Sequence, residues 1–116
     1  MPRFGIDQPW APTEATERIR AKARDNSLTL WLTDHAKEQM LERELIISDI
    51  IDVLANGFVY DAAEPATQTG YFKYRMECRT PNSGRRSVRV VVIPHPTPTL
   101  KIVTVLWAGR ISGRGG

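Results

Sequence analysis

The chain has 116 residues, 41% of them hydrophobic and 25% charged, with one cysteine and a formal net charge of +3. This length builds one self-supporting core, while a lone cysteine excludes an internal disulfide and a cysteine-pair zinc site. No apolar run approaches the roughly 18 residues of a membrane helix, the first residues lack a secretory apolar stretch, and the charge permits nucleic-acid binding without demanding it; a cytoplasmic protein with no membrane partner is expected.

Residues 1–12 are rich in proline and glycine and read as an irregular N-terminal arm. A helix is predicted over 13–25, with Glu14 and Glu17 early and Arg18, Arg20, Lys22 and Arg24 late, the order a helix dipole favours. Its apolar side is only Ile19 and a few alanines, so it should pack lightly. Residues 28–32 form a short apolar strand. Thr33 then caps a helix over 34–43, a stretch without glycine, proline or β-branched residues. In that register His35, Gln39, Glu42 and Arg43 form one polar stripe, with Ala36, Met40 and Leu41 turned the other way. Ser48 is expected to cap the next helix, 49–55, whose Ile50, Ile51, Val53 and Leu54 are apolar. Asn56-Gly57 is read as its left-handed stop.

From Phe58 the period changes to two. Residues 58–60 are a short strand and 61–69 a loop. Over 70–79, Phe72, Tyr74, Met76 and Cys78 alternate with Lys73, Arg75, Glu77 and Arg79, a strand with one buried and one charged face. The run Thr80-Pro81-Asn82-Ser83-Gly84-Arg85 is turn chemistry, predicting a hairpin with 86–93. A Pro-rich connection over 94–98 leads to 100–107, whose nearly continuous apolar character predicts a central strand covered on both faces. Residues 108–116 are a Gly/Arg tail, expected to be flexible. The reading is a single α+β domain over 13–107, with two to three N-terminal helices packed on a small antiparallel sheet.

Resemblance adds to this. The run His35-Ala36, then Arg43, followed by a short helix over 46–54 and a final strand Ile102-Val103-Thr104-Val105-Leu106-Trp107, resembles the bacterial "domain of unknown function 4258" family over roughly residues 28–107. In that family the helix usually reads His-Ala-x-x-Arg-x-x-x-Arg and is followed by glycine and isoleucine. Here Gln39 stands at the first arginine, and Glu44-Leu45 takes the place of the glycine. Such domains look similar to the RelE and BrnT ribonuclease toxins, and the resemblance implies that fold and a possible cognate antitoxin as partner.

The chemistry is read from the charged groups. His35, in the first turn of its helix, suits a general base, because that end of a helix disfavours a cation; the plainer reading is a histidine that holds the helix start. Lys73, Arg75 and Arg79 on one strand face, extended by Arg89 if the register allows, form either a solvated face or a basic surface. His95, between two prolines, reads as exposed and inert, Tyr74 and Thr104 as core residues, and Cys78 as buried and unreactive. No metal-ligand spacing or phosphate loop is present, so no metal or cofactor is expected. Two functions follow. One is a toxin-like, metal-independent endoribonuclease cleaving RNA through its 2′-hydroxyl, with His35, Arg43 and Arg75 catalytic and Lys73, Arg79, Arg89 and Arg110 binding nucleic acid. The other is a non-catalytic module binding nucleic acid or protein through the same basic face.

Overall fold

The computed structural model describes residues 8–84, 86–96 and 98–108. Three helices, α1 (Pro12–Ala23), α2 (Asp34–Arg43) and α3 (Ile47–Asn56), and six strands, β1 (Thr29–Leu32), β2 (Phe58–Val59), β3 (Glu64–Pro65), β4 (Phe72–Arg79), β5 (Ser87–Pro94) and β6 (Thr99–Trp107), make the expected α+β fold. The sheet runs β1-β6-β5-β4-β2, with β3 also pairing to β4. β4, β5 and β6 form the expected antiparallel meander. The sheet is nevertheless mixed, because β1 lies parallel to β6 and makes β6 an interior strand. Among the described residues no helix is long and apolar enough to cross a membrane.

Alternation along β4 places Tyr74 and Met76 in the core with Val88, Val90 and Val92 of β5 and Leu100, Ile102 and Val105 of β6. From α1 come Ala15, Ile19 and Ala23, from α2 Ala36, and from α3 Ile50, Val53 and Leu54. The N-terminal arm also contributes: Trp10 is only 3% exposed. Its ring stacks 5.5 Å from that of Tyr74, and its backbone N–H donates to the Tyr74 hydroxyl at 3.0 Å. That hydroxyl donates in turn to Gln8 Oε1 at 2.9 Å, so a buried phenol is satisfied by residues outside every regular element.

Several local expectations are corrected. Gln39 does not share a solvent stripe with His35. It is buried, and its Oε1 accepts the Val105 N–H of β6 at 2.8 Å. β1 ends opposite Ile102, and α2 takes over as neighbour of β6, so Gln39 satisfies an edge donor that would otherwise face nothing. Leu41, expected inward, is 82% exposed. The cap of α3 is Ile46 rather than Ser48: buried Asp49 accepts the Ile46 N–H at 2.9 Å, and also the Thr80 hydroxyl at 2.6 Å and the Asn82 amide at 2.9 Å. One carboxylate thus ties the start of α3 to the β4–β5 turn. Burial alone would raise the Asp49 carboxyl, but these three hydrogen bonds outweigh it and hold the group below the ordinary carboxylate range.

Gly57 is not left-handed; its φ is −78°. Glycine is required there by close approach, since a Cβ would stand 2.5 Å from the Val53 carbonyl oxygen and 3.1 Å from that of Glu77. The left-handed residue is Glu44 after α2, with φ 58°. The C-terminal carbonyls of α3 are served from α1: Arg20 donates to Asn56 O and Gly57 O at 2.9 and 3.0 Å, and Arg24 to Ala55 O at 2.6 Å.

Candidate nucleic-acid interface

The side of the sheet away from the helices is set by register. Arg75 pairs with Val91 and Glu77 with Arg89, Ile93 with Lys101, and Trp31 with Lys101; paired residues share a face. Between β5 and β6 the register slips: Val91 pairs with Thr104 but Val92 with Ile102. Val103 is therefore an extra residue, and the bulge keeps Ile102 and Val105 in the core while Val103 and Thr104 both reach the open side. Thr104 is a lining residue, not a core one.

On this face lies a concavity of about 610 Å³. Its floor is Val91, Ile93, Val103 and Thr104, and its wall is the segment that carries Glu64, Ala66, Thr67, Gln68 and Tyr71. The wall is held by β3, a two-residue strand inside the expected loop, and by the Ala66 N–H, which donates to Tyr71 O at 2.8 Å. Gly70 turns the chain with φ 89°, a conformation that glycine adopts without steric cost. Three cations line the space, Lys73, Arg75 and Lys101, against one carboxylate, Glu64. Arg75 donates to Glu64 Oε2 at 2.7 Å. Through that hydrogen bond and charge, with Lys73 adding to it, Glu64 is held below its ordinary range and stays ionised. Neither lysine makes an ion pair among the described residues.

His95 also lines the concavity, which corrects the reading of an exposed side chain. It is half-buried, with the Tyr71 ring centroid 4.6 Å away and that of Trp31 at 5.2 Å. Burial pushes its imidazole pKa down, and the cations of Lys101 and Lys22 add to the effect, so the ring is neutral at pH 7. Its Nε2 is buried and has no hydrogen-bond partner among the described residues.

Of the residues singled out by sequence, Arg75 and Lys73 stand together in this concavity. Arg89 shares the face but lies outside the concavity, its guanidinium spent on Glu77 at 3.0 Å. Arg79 is exposed at the end of β4. His35 and Arg43 are on α2, which packs on β6 and β1, whereas Arg75 is on β4 with β5 between. His35 is exposed and Arg43 pairs with its neighbour Glu42 at 3.1 Å. His35, Arg43 and Arg75 therefore do not form one constellation. Arg110 lies outside the described residues. Cys78 is half-buried, and burial together with Asp52 pushes its thiol up, which keeps it protonated. Among the described residues no group of three His, Cys, Asp or Glu side chains converges to hold a metal.

Sequence reading missed Lys101, Glu64, Tyr71 and Trp31. Lys101 carried a signal, being the one charged residue in the apolar strand 99–107. The other three sit in a loop and on an edge strand, where no periodicity marks them.

Fold and site together define an α+β domain with an open, basic sheet face. A family model described as "Domain of unknown function (DUF4258)" matches residues 32–107, and the chain belongs to that family. Neither a curated protein nor a solved structure matches it.

Proposed function

We propose that this domain binds RNA on the open face of its sheet and cleaves it without a metal ion, through attack of a 2′-hydroxyl on the adjacent phosphorus. The observation that carries the reading is the convergence of Lys73, Arg75 and Lys101 with one proton-exchanging group, His95, in one concavity. The resemblance to RelE- and BrnT-type toxins supports the same reaction class. The three cations hold the phosphate as its charge develops. A neutral His95 takes the 2′-hydroxyl proton on its unprotonated ring nitrogen. The new P–O2′ bond forms as the P–O5′ bond breaks, and the departing 5′-oxygen takes a proton from water, leaving a 2′,3′-cyclic phosphate and a 5′-hydroxyl. His95 replaces His35 in this role because His35 does not line the concavity. A cognate antitoxin would act by covering the same cations.

Purified protein incubated with mixed RNAs at low salt should yield products ending in cyclic phosphate, unaffected by chelator. His95→Gln should lower the rate by about 10² to 10⁴, and His35→Ala should leave it within a few-fold. The acid limb of the rate profile should fall below pH 6.5, the ordinary histidine value from which His95 is lowered. Intact RNA, or a His95→Gln variant that cleaves at the parental rate, would sink the enzymatic reading. The second reading, binding without cleavage, is favoured by one observation: Arg75 and Arg89 already hold carboxylates. It predicts RNA retention in a gel shift without products.

A further inference from the structure

Trp31 is 52% exposed although it is one of the largest apolar side chains in the molecule. Its position follows from the pattern of β1, where Leu30 and Leu32 pack against the core and Thr29 and Trp31 take the open side. The parallel register puts Trp31 directly opposite Lys101, which lines the basic concavity. The indole meets the His95 ring edge-on at 5.2 Å, and His95 is packed in turn on Tyr71 at 4.6 Å. Three rings therefore run along the rim of the concavity, and the outermost offers free surface beside a cation that has no carboxylate partner among the described residues.

The other two tryptophans differ. Trp10 is buried on Tyr74, and Trp107 has the Arg86 guanidinium over its ring at 4.2 Å. Trp31 alone of the three combines an exposed ring with the basic face.

We infer that Trp31 is a stacking platform for one unpaired base of a single-stranded nucleic acid whose neighbouring phosphate lies on Lys101 and Lys73. This rests on the proposed RNA-binding reading and narrows its substrate class. Trp31 and Lys101 face one another on neighbouring strands, which lie about 5 Å apart. A base can cover Trp31 only when it is not stacked within a duplex, so the arrangement selects single strands. Stacking on an aromatic ring is tolerant of base identity because every base has a π-face, so little sequence preference is expected from this contact.

The test uses the full chain and labelled 12-nucleotide RNAs, oligo-U, oligo-A and a blunt 12-base-pair duplex, measured by anisotropy at low salt. Both single strands should bind at least tenfold more tightly than the duplex. Trp31→Ala should weaken single-strand binding by roughly 10- to 100-fold, while Trp31→Phe keeps most of the affinity. Duplex affinity and the salt slope should not move, since no charge is removed. Far-UV circular dichroism of Trp31→Ala should match the parent. Equal affinity for duplex and single strands, or an unchanged Trp31→Ala, overturns the platform while leaving RNA binding standing. An assembly that dissociates on Trp31→Ala without loss of RNA affinity also overturns it, and makes Trp31 a contact between protein chains. If the parental chain binds none of the three RNAs, the RNA-binding reading falls, and this inference with it.

Discussion

On the helix-covered side of β4, β5 and β6, Tyr74, Met76, Val88, Val90, Val92, Ile102 and Val105 are all buried and apolar. On the other side of the same three strands stand Arg75, Glu77, Arg89 and Lys101, half-buried, with Val91 and Val103 between them. The backbone is shared, yet one face is held by exclusion of water and the other keeps its charges wet or paired. The first face tolerates no loss of volume, because packed neighbours cannot collapse into a gap. The second tolerates exchange of charge, because solvent screens what is removed. Stability and the proposed RNA binding are therefore separable by face.

The comparison would break most visibly at Met76. Met76→Ala should cost about 2–5 kcal/mol in urea unfolding, whereas Lys101→Gln on the opposite face should stay within about 0.5 kcal/mol. Equal losses would mean that the open face carries the fold as well.

A smaller effect is expected at the margin of the covered face, where Asp49 joins α3 to the turn after β4. Asp49→Asn should destabilise by about 1–3 kcal/mol at neutral pH, since three donors lose a charged acceptor. The native carboxyl lies below its ordinary 3.8, so its contribution is complete above that pH and disappears as the pH falls through the lowered native value. The gap between variant and parent, followed by thermal melts, should therefore narrow only below about pH 3.8. A gap that closes near pH 6 would assign the effect to another group.

Salt dependence sharpens the open face. For single-stranded RNA each phosphate contact adds about 0.7 to the slope of log affinity against log salt. Lys73→Gln and Lys101→Gln should each flatten that slope by about this amount. Arg43→Gln, on α2, should leave it unchanged. A slope that responds to Arg43 and not to Lys101 would move the interface to the helices.

The smallest change is expected at Glu44. Its left-handed backbone costs a residue with a Cβ more than it costs glycine. Glu44→Gly should raise stability by roughly 0.5–1 kcal/mol after the greater chain entropy of glycine is offset, with RNA binding unaltered. A loss of stability would show that the Glu44 side chain makes contacts worth more than its strain.

Periodicity by itself determined the helical half, the alternating half, the two faces of β4 and the β4–β5–β6 meander, because each depends on spacings of two or about 3.6 along the chain. Placement of Lys73 and Arg75 on one charged face was legible for the same reason. What the tertiary structure alone decided are relations between distant segments. The parallel docking of β1 on β6 brings Trp31 to Lys101, and the Val103 bulge turns Thr104 outward. Pairing of Pro94 with Leu100 at the end of β5 carries His95 to the concavity, and the gap beyond β1 makes Gln39 an edge acceptor rather than a solvent-facing residue. None of these has a local signature. Each arises because a backbone donor or an apolar surface must be covered by whatever the fold brings next to it.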